Sequence, residues 1–374
     1  MKRIIICCDG TWQKLSNCYP TNVVKIAQAI KPLADDGTPQ IIFYEEGVGT
    51  GYYKADKVFG GVLGWGIDKN IQDAYRFLCL NYDQDDEIYL YGFSRGAYTV
   101  RSLAGLINCA GLLKRNKIRQ APRAYELYRK LDIGCKDPEA VQFRKENGDR
   151  VPIKFLGCWD TVGSLGIPEQ IPLIPVDEWI NEKYNFHNTS LSAIIQNAYH
   201  AMAIDERRKM FDAASMKKCF DNSRQNLVEM WFPGDHACVG GGSSKTSGLS
   251  DGALQWMINQ SKTYKLEFDE SKVINGIKPD PTVSFDNTLK GIYRLTRSNL
   301  RNISDNWLDL HESVIQRWIE TNTDTSAESQ KTNSETNLPY NPENLIYKHG
   351  ERLGQERSKY LARLNDQNPL SGAA

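Results

Sequence analysis

Glu87-Ile88-Tyr89-Leu90-Tyr91-Gly92-Phe93-Ser94-Arg95-Gly96-Ala97 is the stretch on which the fold turns. Five residues that favour a buried strand run into G-x-S-x-G. The next segment, Ala97–Ile107, places Ala97, Val100, Ala104 and Ile107 on one helical face. A strand, a tight turn and a helix give this pentapeptide its meaning. The turn forces the serine into a sparsely populated backbone conformation, and the flanking glycines leave room where a Cβ would strike the neighbouring strand and helix. Ser94 Oγ is thereby expected above the edge of a sheet. The helix N-terminus beneath it favours developing negative charge, and the Arg95 N–H serves as one oxyanion donor.

Four other apolar runs accompany this strand: Arg3–Cys8, Gln40–Tyr44, Ile153–Cys158 and Leu227–Phe232. Several are continuously apolar, as parallel strands covered on both faces are. Helical periodicity over Asn22–Ile30 and Asp68–Leu80 lies between them. Strands alternating with helices predict an α/β fold with a mainly parallel sheet flanked by helices. Ile167-Pro168, Ile171-Pro172 and Ile174-Pro175 interrupt the alternation and predict an inserted cap over about 165–220. From 321 to 336 the chain is almost wholly small and polar, which predicts a flexible loop. The expected organisation is a catalytic domain over 1–320, that loop, and an extension over 337–374 ending in a charged helix-like tail at Glu351–Arg363.

A serine hydroxyl needs a base, and the chain has five histidines. His236 follows the strand Leu227–Phe232 in a glycine-rich loop ending Gly240-Gly241-Gly242, the place where an α/β-hydrolase carries its base; His311, in a helical setting, is the rival. His187 and His200 fall in the cap span and His349 near the tail. In the chain order serine, acid, histidine, Asp160 ends the strand Ile153–Cys158 and is the favoured acid. Asp205 competes for that role, with a salt bridge to a nearby arginine as its alternative use. Gly10 or Thr11, after the first strand, supplies the second oxyanion N–H. The glycines of Gly47-Val48-Gly49-Thr50-Gly51 lack dinucleotide-fingerprint spacing and are expected to line the cleft, and the apolar stretch 58–67 suits an acyl chain or the core.

Of 374 residues, 46 are basic and 46 acidic, so overall charge supplies no drive toward nucleic acid or anionic membrane. Contact with a lipid surface then rests on local apolar surface beside the cleft. Nine scattered cysteines form no C-x-x-C pair, so neither a zinc site nor a disulfide framework is signalled, and no metal or cofactor is expected. Met1–Asp9 holds an apolar run too short for a signal peptide, and no run reaches the length of a membrane span. Synthesis as a reduced protein in the cytoplasm is the expectation, and export by a route that reads no signal peptide is compatible with it. Chemistry on a carboxylic ester of the lipase type is the leading function; hydrolysis of a soluble ester or thioester, or a non-catalytic binding module that keeps the fold, is the alternative. Cys7-Cys8-Asp9-Gly10-Thr11 resembles the first block of haloacid-dehalogenase phosphatases, but Cys7 stands where the nucleophilic aspartate would be.

Cys8-Asp9-Gly10-Thr11-Trp12, Gly47-Val48-Gly49-Thr50, Gly92-Phe93-Ser94-Arg95-Gly96-Ala97, Trp159-Asp160-Thr161-Val162-Gly163, Ala203-Ile204-Asp205-Glu206-Arg207-Arg208 and Trp231-Phe232-Pro233-Gly234-Asp235-His236 with Gly240-Gly241-Gly242 occur in this order. Together they resemble the catalytic domain of type VI secretion phospholipase effectors, over about residues 1–260. His311-Glu312-Ser313 and Tyr340-Asn341-Pro342-Glu343-Asn344-Leu345 resemble that family's C-terminal blocks. The resemblance implies an α/β-hydrolase fold, a triad landing on Ser94, Asp160 and His236, phospholipase A activity on glycerophospholipids, and secretion or immunity proteins as partners. Two departures stand out. Cys238 occupies a position where the family often has an acidic residue, and the secreted effectors usually carry added membrane-docking regions.

Overall fold

Ile4, Ile5 and Ile6 are wholly buried, and they point alternately to two different cores. That follows from the two-residue period of a strand covered on both faces. The computed structural model describes residues 1–49, 60–130, 134–163, 190–289, 298–323 and 339–367. Among them the chain runs β1 (Arg3–Cys8), α1 (Asn22–Ala29), β2 (Gln40–Glu45), α2 (Gly60–Asn81), β3 (Glu87–Phe93) and α3 (Arg95–Ala110). There follow β4 (Leu112–Leu113), α4 (Ala121–Arg129), α5 (Pro138–Asn147), β5 (Gly148–Asp149), β6 (Ile153–Trp159), β7 (Asn197–Ala203) and β8 (Asn226–Phe232). The C-terminal helices are α6 (His236–Gly240), α7 (Ser247–Lys262), α8 (Glu312–Thr323) and α9 (Glu343–Gln367).

Six strands pair in the order β2-β1-β3-β6-β7-β8, and every pairing is parallel. β4 and β5 form a separate antiparallel pair. One core lies between the sheet and α2 to α5; the other lies between the sheet and α1 with α7. This is an α/β-hydrolase-like fold with helices on both faces of the sheet. The chain leaves β1 toward β2 on one side and returns to β3 on the other. The strand order therefore reverses between β1 and β3, and the C-terminal ends of these two strands mark the switch point at which sheets of this topology carry their crevice. Gly10 and Ser94 stand at that crevice.

A third core joins Met202, Ile204 and Trp231 to Ile303, Leu310, Val314, Trp318, Tyr340, Leu345 and Leu353. The C-terminal third thus packs beside β8, and Leu310 bridges Trp231 of that strand.

The five expected strands are present within two residues of their predicted ends. β7 is an addition and corrects the cap: residues 197–203 of the span 165–220 are an interior strand of the sheet. The reason is chemical. Asn197-Ala198-Tyr199-His200-Ala201-Met202-Ala203 has no branched apolar run, and its buried His200 is accommodated by pairing, with Nδ1 2.9 Å from Glu229 Oε1 and Nε2 accepting the Thr161 N–H at 3.0 Å. The proline-punctuated part of the cap and His187 lie outside the described residues. So do residues 58 and 59 of the apolar stretch, whose remainder opens α2, and most of the polar tract 321–336, whose first three residues end α8. The charged tail is helical, within α9.

Candidate active site

Ser94 stands between β3 and α3 with φ 57° and ψ −120°, a conformation L-residues rarely adopt. The two glycines make the turn fit. A Cβ on Gly92 would lie 2.5 Å from the Gly96 carbonyl oxygen, and one on Gly96 only 2.0 Å from that of Cys8. The Ser94 N–H donates to the Trp159 carbonyl at 3.0 Å, and its own carbonyl accepts from Tyr98 as the helix begins. The side chain is only 4% exposed.

His236 opens α6, beneath an N-cap in which Asp235 accepts the N–H groups of Ala237 and Cys238. Its Nε2 lies 2.8 Å from Ser94 Oγ and its Nδ1 lies 2.6 Å from Asp160 Oδ2. The ring is flanked by Phe93 at 4.6 Å and Phe211 at 4.9 Å. Gly240 permits that approach, since a Cβ there would fall 1.9 Å from the Phe93 ring. The His236 N–H donates to Glu206 Oε2 at 3.3 Å.

Asp160 follows β6 with φ 42° and is fully buried. Its Oδ1 accepts the Ala203 N–H at 2.9 Å. Arg301 meets both oxygens, Nη1 to Oδ1 at 2.5 Å and Nη2 to Oδ2 at 2.9 Å. Burial pulls the Asp160 carboxyl toward its neutral form, but the Arg301 charge and the His236 hydrogen bond outweigh it and hold the group well below the usual carboxylate range.

The crevice wall from β1 is less simple than predicted. Gly10 is close to the serine, with a virtual Cβ 3.4 Å from Ser94 Cβ, but its N–H already donates to Asp9 Oδ1 at 2.7 Å. That corrects Gly10 as an oxyanion donor: a short side-chain-to-backbone bond, invisible in the sequence, has taken the N–H. The Trp12 N–H is likewise engaged, by the Val48 carbonyl at 3.0 Å. Among the described residues the Thr11 N–H meets no acceptor, and Thr11 Oγ1 is buried without a partner. Arg95 opens α3 beside them, its guanidinium 5.8 Å from the Trp12 ring. Asp9 also accepts from Thr21 and Tyr44, at 2.7 and 2.8 Å, yet burial still raises its carboxyl to about 6.

The rival residues sit elsewhere. Asp205 makes no hydrogen bond to His236, and its main partners are not arginines. Its Oδ2 accepts the Gly234 N–H at 2.6 Å and the Tyr340 hydroxyl at 2.8 Å, and burial raises it to about 7. The ion pair of that motif is Glu206 with Arg208, at 2.6 Å. His311 stacks on Phe232 at 4.4 Å and bonds Ser313 Oγ; burial lowers its pKa to about 4. His349 bonds the Ser304 carbonyl. Cys238 is buried against the loop, its Cβ 2.3 Å from where a Gly234 Cβ would lie, and burial pushes its thiol up. Among the described residues no group of three His, Cys, Asp or Glu is placed to hold a metal, and no helix is long and apolar enough to cross a membrane.

Arg301, Glu206 and Tyr340 escaped the sequence reading as support for this site. Tyr340 and Glu206 lay inside quoted motifs, but no spacing pattern marks Arg301.

Residues 2–260 match the family described as "T6SS, Phospholipase effector Tle1-like, catalytic domain". The chain is 28% identical over 232 aligned positions to the uncharacterized protein YEL023C of Saccharomyces cerevisiae, covering 56% of this chain and 32% of that protein. Two solved structures are similar. One is an uncharacterized protein from Pseudomonas aeruginosa, with a TM-score of 0.44 and 15% identity, over 96% of this chain and 59% of that one. The other is the Tle1 effector bound to the VgrG spike from the type 6 secretion system, with a TM-score of 0.36 and 18% identity, over 64% of this chain and 51% of that one. The chain spans about a third of the length of the curated relative and between half and three fifths of these two solved chains.

Proposed function

The chain belongs to the type VI secretion Tle1-like phospholipase effector catalytic-domain family, and from that premise we propose that it is a serine hydrolase of carboxylic esters, acting on phospholipid acyl chains. The observation that carries the proposal is the hydrogen-bonded line from Ser94 Oγ through His236 to Asp160, at 2.8 and 2.6 Å, with no gap for water between its members. In this reading His236 Nε2 takes the Ser94 proton as Oγ attacks the ester carbonyl. Asp160 holds the Nδ1 proton in place and stabilises the imidazolium as it forms. The N–H groups of Thr11 and Arg95 receive the oxyanion, Arg95 at the positive end of the α3 dipole. His236 then protonates the departing alcohol. Water, deprotonated by the same nitrogen, releases the fatty acid from Ser94.

The lipid assignment draws on the family and on the exposed Trp12 and Leu15 beside the crevice, an apolar rim on a chain of zero net charge. That rim makes the peripheral contact with a lipid surface. A secretion-spike or immunity protein is the proposed partner, and cytoplasmic synthesis with later export the proposed route.

The decisive test is Ser94→Ala against fatty-acid release from phospholipid vesicles, with p-nitrophenyl butyrate and a short-chain thioester as soluble comparisons. Loss of about 10⁴- to 10⁶-fold in kcat is expected, with an unchanged unfolding transition. A fluorophosphonate should label Ser94 in the parent protein. Full vesicle hydrolysis by the variant would overturn the triad. Hydrolysis of the soluble esters alone would keep the triad and replace the lipid.

A further inference from the structure

We propose that Arg301, which lies beyond the family-matched residues, is a positioning residue that keeps Asp160 ionised and aimed at His236 down to acid pH. The inference rests on the reading of Ser94, Asp160 and His236 as the catalytic set.

The geometry is that of a clamp. Arg301 and Asp160 are 3% and 0% exposed, so neither charge is solvated by water. Nη1 and Nη2 take one carboxylate oxygen each. The Ala203 N–H adds a third donor on Oδ1, and His236 Nδ1 a fourth on Oδ2. A carboxylate with two donors on each oxygen cannot turn about its Cβ–Cγ bond without breaking several hydrogen bonds. Such a fork fits a planar carboxylate as an ammonium cannot. The same guanidinium also donates to the Ala203 carbonyl at 2.8 Å and to the Phe211 carbonyl. One group therefore ties the acid to the end of β7 and to the segment whose Phe211 ring lies against His236.

Charge gives the clamp its second effect. The groups facing Asp160 are His236 from α6 and Arg301 from the C-terminal segment, while Arg301 itself also faces Glu206 and Asp212. Burial favours a neutral Asp160, and the guanidinium is the largest influence against it. A protonated carboxyl would no longer stabilise the imidazolium. Arg301 thereby sets how far into acid the hydrolase keeps its rate.

The test uses the full chain and two variants, Arg301→Met and Arg301→Lys, with rates on phosphatidylcholine vesicles and p-nitrophenyl butyrate from pH 4.5 to 9 and a thermal melt for each. Arg301→Met should lose about 100-fold in kcat at pH 8 with KM within about twofold, as expected when a buried ion pair loses one partner. It should also acquire an acid-side loss of rate that begins at higher pH than in the parent. Arg301→Lys restores the charge without the fork. It should return the acid limb toward its parental position while recovering only part of kcat. A purely structural bridge would lower the melting temperature and the rate in both variants with the pH profile unmoved, and that result overturns the proposal. Parental kcat and profile in a folded Arg301→Met overturns it as well. If Arg301→Met does not fold, Arg301→Lys decides alone: a reduced kcat at the parental melting temperature, with KM within about twofold, upholds the clamp, and a parental kcat or a rate that falls together with the melting temperature removes it. Failure of a fluorophosphonate to label Ser94 in the parent would instead remove the triad reading beneath.

Discussion

Serine and histidine meet across 2.8 Å, but the two halves of the site are built by different means. The serine half is backbone. Gly92, Ser94 and Gly96 fix the turn through contacts that a single Cβ would violate, all within β1, β3 and the start of α3. The half that holds Asp160 and His236 is side chain. Asp160 is steadied by Arg301, 141 residues away, and the loop before His236 is steadied by Asp205, itself held by Tyr340 across 135 residues. The difference teaches how each half should fail. A steric lock breaks at once and independently of pH; a network of buried carboxylates and donors weakens by steps and titrates.

Gly96→Ala attacks the lock and carries the largest expected effect on stability. Its Cβ would lie 2.0 Å from the Cys8 carbonyl oxygen and 2.6 Å from that of Asp9, both backbone atoms of the central strand region. No rotamer relieves such a contact, so β1 and α3 must separate. The expected cost is about 3 kcal/mol or more, read as a fall in the urea midpoint, and the same at pH 5 and pH 8. A variant as stable as the parent would show that the elbow is looser than its geometry.

The same contrast decides what could be read from the sequence. The elbow was legible because its requirements are local: a strand, two glycines four residues apart and an apolar-periodic helix. Asp160 and His236 were legible one step less directly, through chain order and their places after strands. β7 was not, because His200 is buried by pairing with Glu229 rather than by being apolar. Arg301 was not, since an ion pair across 141 residues leaves no periodicity in one chain. Gly10 was misjudged for a smaller reason, the capture of its N–H by its neighbour Asp9.

The second half should reveal itself through pH. Burial raises Asp205 to about 7 and Asp9 to about 6, both above the value near 3.8 they have when exposed. Between those limits the folded chain binds more protons than the unfolded one. By linkage the stability is then fully present below about pH 4 and is lost as pH rises toward 6 for Asp9 and 7 for Asp205. Asp160 is shifted the other way and contributes no slope in this window, while His311, which burial lowers to about 4, opposes the two carboxyls up to its ordinary value near 6.5. Asp205→Asn keeps an oxygen for Gly234 and Tyr340 but removes the proton. Urea unfolding at pH 4.5, 6 and 8 should show the parent losing on the order of 2 kcal/mol across the series, the net of the two carboxyls and His311, with the variant nearly flat throughout because Asp9 and His311 then offset each other. A variant with the parent's full slope would place the titration elsewhere.

Tyr340→Phe is the mildest probe, and it separates the two kinds of support most finely. The ring is buried in the C-terminal core, where phenylalanine fills nearly the same volume, so packing is preserved. What goes is one hydroxyl donor, 2.8 Å from Asp205 Oδ2. Asp205 keeps the Gly234 N–H on the same oxygen, so the loop bearing His236 remains tethered. The expected cost is about 1 kcal/mol near pH 8, the worth of a hydrogen bond to a charged acceptor less the gain of an apolar group. It should shrink toward zero at pH 5, where Asp205 is neutral and the bond loses its charge assistance. Activity should fall by no more than about threefold, because the hydroxyl touches neither Asp160 nor His236 and acts through a loop with a second anchor. A pH-independent loss would mean that Tyr340 supports the site by shape, as the glycines of the elbow do, and the division between the two halves would not hold at this residue.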